Sequence, residues 1–139
     1  MSSEEKRTWI YVVVAVGVAA VYFATVLSKV PGTDVGTIAY VRPMLTAIGV
    51  GIAANIALNI MAATLSPREA DKTDERDKQI NRLGDYTGFY VMSVAAIVPL
   101  GLAMAEIEHF WIANTLYLAF VLAALASSIV KIVAYRRGF

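Results

Sequence analysis

Four long runs without a charged residue constrain this chain more than any other feature of its sequence. They cover residues 8–28, 43–67, 86–105 and 110–130 and contain 21, 25, 20 and 21 residues. An α-helix needs about 20 apolar residues to cross a hydrocarbon core about 30 Å thick. The pattern therefore predicts an all-α, integral membrane four-helix bundle. It forms a single domain, 1–139, with spans at about 8–28, 38–65, 86–105 and 110–132.

The composition narrows the function classes. The chain is 58% hydrophobic and 17% charged, has a formal net charge of +1, contains no cysteine and has one histidine, His109. The absence of cysteine excludes disulfides and thiolate metal sites. A net charge near zero gives no sign of a basic surface that binds nucleic acid. No phosphate-binding loop, dinucleotide fingerprint or hydrolase motif is present. We therefore predict a protein that is not an enzyme, with no cofactor, no bound metal and no direct nucleic-acid partner.

The basic residues are divided unevenly between the two ends of the predicted bundle. Both termini and the connection between spans 2 and 3 share one end, and that end carries ten of the twelve Lys and Arg residues. Only Lys29 and Arg42 belong to the other end. Short loops rich in Lys and Arg stay in the cytoplasm. We expect a multi-pass protein of the plasma membrane with cytoplasmic N- and C-termini.

The connection between spans 2 and 3, residues 66–85, is here called the collar. Ile80, Leu83, Thr87 and Tyr90 recur at spacings of three and four, which is typical of one face of a helix. The pattern predicts that span 3 extends into a charged cytoplasmic stalk.

The collar's charged residues have three interpretations. They are a solvated connector, a docking surface for a cytoplasmic protein, or a divalent-cation site at Asp71, Asp74, Glu75 and Asp77. The interleaved Arg76 and Lys78 oppose the cation site. The candidates for contact with a protein partner are Asp74, Glu75, Arg76, Asp77, Lys78 and Arg82.

Small and polar residues mark candidate packing faces inside the membrane. Gly84 and Gly88 form a G-xxx-G pair, which favours close packing against a neighbouring span or, alternatively, a homodimer face. Asn55 and Asn59 share one stripe of span 2 with small residues. The stripe is either glue between helices or a polar step in a substrate path. Its candidate partners on span 4 are Asn114 and Thr115, or Ser127 and Ser128.

Three further features of the sequence bear on the spans and on the connection between spans 3 and 4. No Asp, Glu, Lys or Arg lies deep in a span, which argues against a proton-coupled exporter. Pro99 is expected to kink span 3. Glu106, Glu108 and His109 are interpreted as a short hairpin, with a metal or pH-sensing site as the alternative.

Residues 74–90, with their D-E-R-D…I…G…Y pattern, resemble a family of small four-span membrane proteins of bacteria and archaea. Residues 109–114 and 131–139 are similar to actinobacterial members. The resemblance implies a membrane partner or sensor for a helix-turn-helix regulator encoded nearby. We therefore expect a non-enzymatic membrane protein that contacts a cytoplasmic protein through the collar. The alternative is a small permease or immunity-type exporter that uses the span 2 stripe.

Overall fold

The computed structural model describes residues 3–65 and 75–137, and every regular element in these ranges is helical. The helices are α1 (Ser3–Leu27), α2 (Val41–Leu65), α3 (Glu75–Ala95), α4 (Ile97–Met104) and α5 (His109–Arg137), with a 3₁₀ turn at Val35–Thr37. Four helical stretches are long and apolar enough to cross a membrane: Glu4–Leu27, Val41–Met61, Glu75–Met104 and His109–Arg137. The predicted all-α fold with four helices of spanning length is confirmed.

The helices pack in the order α2, α1, α5, α3. The contact between α3 and α5 is the most extensive, and α1 packs on both α5 and α2. Within the described residues α2 packs substantially on α1 alone. The starts of α1 and α3 meet the end of α5, where the Arg136 Nε lies 3.0 Å from the Glu5 Oε1. We call this the terminal end, and the opposite one the hairpin end.

The buried core is small and divided between the two ends. At the hairpin end it contains Tyr22, Val26, Ile38, Ala47 and Phe110, and at the terminal end Ile80, Ala134 and Tyr135. Most large apolar side chains are exposed instead. Such a surface is the one that membrane-crossing helices present to lipid, where apolar exposure carries no penalty.

Two glycines allow α3 to approach α5 closely. A Cβ added at Gly88 would lie 3.3 Å from the Ser127 Cβ and 3.4 Å from the Ala123 carbonyl oxygen. At Gly84 the aliphatic stem of Lys131 occupies the space that a Cβ would need. The G-xxx-G pair thus faces a neighbouring helix of the same chain, and the missing side chains permit this tight contact.

The third span consists of two helices, because Pro99 interrupts its hydrogen bonding. Proline has no N–H, and its ring displaces the carbonyl group four residues earlier, that of Ala95. The helix accordingly ends at Ala95 and α4 begins at Ile97, with the Leu100 N–H donating to the Ala96 carbonyl at 3.2 Å. The break lies where the sequence predicts a kink.

A Schellman motif ends α4. The Ile107 N–H donates to the Leu102 carbonyl at 3.0 Å, and the Glu106 N–H donates to the Ala103 carbonyl at 3.1 Å. Glu106 therefore occupies the position at which glycine is usual, with φ of 57°. This left-handed residue turns the chain into α5 within four residues.

Candidate functional site: a polar cleft at the terminal end

A polar cavity of about 350 Å³ opens at the terminal end, and all four spans line it. We call it the polar cleft. Within the described residues α2 and α3 have no substantial contact, so a gap remains between these two helices, and α1 and α5 form its other walls. The lining residues are Glu4, Arg7, Thr8 and Tyr11 of α1, Asn55 and Asn59 of α2, Asn81 and Asp85 of α3, and Ala124, Ser127, Ser128 and Lys131 of α5.

Two amide oxygens of α2 lack hydrogen bonds in the polar cleft. The Asn55 Nδ2 donates to the Gly51 carbonyl at 3.1 Å, and the Asn59 Nδ2 donates to the Asn55 carbonyl at 2.7 Å. Both Oδ1 atoms are buried, and no donor in the described part of the chain reaches them. A buried acceptor without a partner costs about 1–3 kcal/mol. Each side chain therefore carries an unused acceptor, and both residues line the cavity.

Oppositely charged groups form the rim of the polar cleft. The Arg7 guanidinium lies 3.4 Å from the Glu4 carboxylate, and the Lys131 Nζ lies 3.5 Å from Asp85. The Asn81 Nδ2 donates to the second oxygen of Glu4 at 3.4 Å. Two acids and two bases thus balance, so the cleft offers hydrogen-bonding groups without a net charge. Such a lining suits a neutral or zwitterionic solute better than an ion.

The sequence placed Ser127 and Ser128 among the candidate partners of the span 2 stripe. The structure brings these serines to the same cleft as Asn55 and Asn59, but without a direct hydrogen bond between them. The other candidate, Asn114, lies at the hairpin end, where its Oδ1 accepts from the Tyr22 hydroxyl at 2.5 Å. Its Nδ2 donates to the Phe110 carbonyl at 2.7 Å.

The inner face of the collar packs on the end of α5. Asp77 is buried, and its carboxylate accepts from the Tyr135 hydroxyl at 2.6 Å. Arg76 donates to the Tyr135 carbonyl at 3.0 Å and lies 5.3 Å from the centre of the same ring. Ile80 is fully buried against Ala134 and Tyr135. Two of the predicted partner-binding residues therefore make contacts within the chain.

The remaining collar candidates lie on the outer side of α3 or outside the described residues. Glu75, Lys78 and Arg82 are exposed. Asp74 lies outside the described residues, as does Asp71 of the proposed cation site. Within residues 3–65 and 75–137 no group of three acidic or histidine side chains is arranged to hold a metal ion. That statement includes the hairpin residues Glu106, Glu108 and His109, all exposed.

The residues of the predicted helix face of the collar lie in one helix but differ in burial. Ile80 is buried, whereas Leu83 is 38% exposed and Tyr90 is 60% exposed. The face of α3 that meets α5 contains Asp77, Ile80, Gly84 and Gly88. Apart from Ile80, most large apolar residues of α3 are exposed, because small residues rather than large ones mark helix contacts in a membrane.

Sequence reasoning missed several residues of the polar cleft. The sequence identifies Arg7 and Lys131 only as basic residues of one end, and it assigns no individual role to Glu4, Asn81 or Asp85. Comparisons of the chain with protein-family models, with curated proteins and with solved structures find no match. The suspected family therefore remains an expectation from the sequence.

Proposed function

We propose that this protein is a small permease that binds a neutral, hydrogen-bond-donating solute in the polar cleft. The observation that carries the proposal is the pair of buried Oδ1 atoms on Asn55 and Asn59, neither with a donor among the described residues. A solute with N–H or O–H groups would satisfy both acceptors and remove their desolvation cost.

The spacing and size of the site define the solute class. Asn55 and Asn59 are one helical turn apart, so their Cβ atoms are separated by about 5–6 Å. A solute with two donor groups at a comparable separation, such as a small amide or a short polyol, bridges them. A cavity of about 350 Å³ lies at the small end of the usual range for ligand sites, about 300–1,000 Å³.

The charges at the rim support a neutral solute. Two ion pairs lie at the rim: Glu4 pairs with Arg7, and Asp85 pairs with Lys131. The charges within each pair compensate, so the rim attracts neither anions nor cations. The same groups offer hydrogen bonds at the mouth of the cleft, where a solute exchanges its hydration shell for protein contacts. Entry at this end therefore requires little desolvation at any one step.

The collar hypothesis has less support. Docking of a cytoplasmic protein requires exposed collar side chains, and Arg76 and Asp77 contact Tyr135 instead. Among the described candidates Glu75, Arg76, Lys78 and Arg82 are exposed, and Arg76 already donates to Tyr135. We therefore place the permease proposal first and keep the cytoplasmic partner second.

The test compares solute binding and flux in two variants. The protein is reconstituted in liposomes, and small amides and polyols are screened by thermal stabilisation and by uptake. We expect Asn55→Leu with Asn59→Leu to abolish both signals. The double variant should be at least as stable as the parent, because leucine removes two unpartnered acceptors from the apolar region.

Thr64→Val provides the matched control. Thr64 is an exposed polar residue of the same helix, and its hydroxyl donates to the Ile60 carbonyl of its own helix at 2.9 Å. This variant should keep binding and flux. Unchanged uptake in the double asparagine variant would overturn the proposal, as would the failure of every class of solute to stabilise the parent protein.

A further inference from the structure

The outer face of α3 carries a stripe of two basic and three aromatic side chains. Lys78, Arg82, Tyr86, Phe89 and Tyr90 follow one another at helical spacing along one groove. We call them the α3 stripe. The rings of Tyr86, Phe89 and Tyr90 are 61%, 68% and 60% exposed, and neighbouring ring centres lie 5.8 and 6.0 Å apart. No part of the described chain covers them.

The two basic residues of the stripe have no ion-pair partner in the part of the chain that the structure describes. At the terminal end, Arg7, Lys131 and Arg136 each lie within 3.5 Å of a carboxylate oxygen. Lys78 and Arg82 form no ion pair or hydrogen bond within the described residues. The one acid in the groove, Asp85, is engaged by Lys131. Within the described part of the chain, no acidic side chain pairs with the two positive charges at one end of the groove.

The order of the stripe matches the structure of a phospholipid. The charge-free run begins at Tyr86, so Lys78 and Arg82 precede the apolar segment and the rings lie in its first turns. At 1.5 Å per residue, Lys78 and Tyr90 are about 18 Å apart along the axis. That length covers a headgroup and the upper part of an acyl chain. Aromatic rings favour this interfacial depth.

We infer that the α3 stripe is a binding site for an anionic phospholipid. Its phosphate contacts Lys78 and Arg82, and its glycerol and upper acyl chain lie on the three rings. A soluble protein could reach the basic residues but not the rings inside the charge-free run. A second copy related by a two-fold axis along the membrane normal would place the same cations against one another, which opposes that arrangement.

The test measures which lipid lies beside the rings. Phe89→Trp is the reporter, in a chain whose native Trp9 and Trp111 are changed to phenylalanine. The protein is reconstituted in phosphatidylcholine vesicles that contain either brominated phosphatidylglycerol or the same fraction of brominated phosphatidylcholine. Bromine quenches tryptophan on contact. We expect the reporter to prefer phosphatidylglycerol about tenfold, because two cations act on one headgroup.

Variants separate a site from a general charge effect. Lys78→Gln with Arg82→Gln should abolish the preference, whereas Lys78→Arg with Arg82→Lys should keep it. Lys29→Gln with Arg42→Gln removes two charges at the other end and should also keep it. Equal quenching by the two lipids in the parent reporter would overturn the inference, including the case in which a protein is the true occupant. A preference that survives the glutamine pair would overturn it too.

Discussion

The Tyr135 hydroxyl donates a hydrogen bond of 2.6 Å to the carboxylate of Asp77, and this contact joins α5 to α3 at the terminal end. Both residues are buried. The contact turns a charged residue of the collar into part of the interior. It also fixes which side of α3 remains exposed, because Asp77, Ile80 and Gly84 must all face α5.

Loss of this hydrogen bond should destabilise the protein. We expect Tyr135→Phe to lower the free energy of unfolding by about 1–3 kcal/mol, because a buried carboxylate oxygen loses a donor. Reversible unfolding in mixed micelles of a mild detergent and dodecyl sulfate, followed by circular dichroism, measures the change. Tyr86→Phe is the control, since Tyr86 is 61% exposed. Equal effects of the two substitutions would contradict the role given to the Asp77 contact.

A large side chain at Gly88 should separate α3 from α5. The Gly88→Leu change places atoms against Ser127 and the Ala123 carbonyl, which lie 3.3 and 3.4 Å from an added Cβ. Overpacking of this kind costs about 1–3 kcal/mol. Gly49→Leu, at a position with open space around it, should be close to neutral in the same unfolding assay. The prediction is wrong if Gly49→Leu is the more damaging change.

The hydrogen bond between Tyr22 and Asn114 should be measurable as a coupling energy at the hairpin end. Tyr22→Phe and Asn114→Ala, made singly and together, form a double-mutant cycle. We expect coupling of about 0.6–1.7 kcal/mol, the range seen for hydrogen bonds between membrane helices. Tyr22→Phe combined with Thr64→Val is the control cycle and should give zero. A coupling energy equal to that of the control cycle would show that the hydrogen bond between Tyr22 and Asn114 does not stabilise the protein.

Replacing Glu106 by glycine should stabilise the protein. Glu106 adopts φ of 57°, which is strained for a residue with a Cβ. We expect Glu106→Gly to raise the free energy of unfolding by about 0.5–1 kcal/mol. Ala105→Gly, whose φ is −83°, gains no such relief and should destabilise. Thermal melts should give a higher melting temperature for Glu106→Gly than for Ala105→Gly. The reverse order would contradict the prediction.

The distribution of basic residues predicts the orientation of the bundle. Ten of the twelve Lys and Arg residues belong to the terminal end, which predicts a cytoplasmic location for that end. The chain has no cysteine, so Gln79→Cys and Glu108→Cys each introduce one label site, both exposed. In intact cells an impermeant thiol reagent should label only the Glu108 position. Labelling at position 79 before the cells are permeabilised would reverse the assignment.

Helix number and length could be predicted from the sequence because they depend on local properties. Charge-free runs of 20–25 residues have the length that a helix needs to cross a membrane. Pro99 has no N–H, so it predicts a break in the hydrogen bonding of its helix. The packing role of Gly84 and Gly88 was also accessible, since close approach needs an absent side chain. The choice between α5 and a second copy required the structure.

The polar cleft could not be predicted, because it depends on which helices fail to meet. Asn55 and Asn59 were recognised as a stripe, but the stripe faces a gap instead of a hydrogen-bonding partner. Asn114 was a candidate partner for it and bonds Tyr22, 92 positions earlier in the chain. Periodicity orders residues around one helix. It contains no information on the rotation of one helix relative to another.

Within the described residues α2 packs substantially on α1 alone, and this arrangement has a mechanical consequence. One wall of the polar cleft belongs to α2 and the opposite wall to α3, and no close packing joins these two helices. A swing of α2 about its seam with α1 therefore widens or narrows the cleft while α3 and α5 keep their contacts. We therefore expect substitutions along the seam between α1 and α2 to change the width of the polar cleft more than substitutions along the seam between α3 and α5.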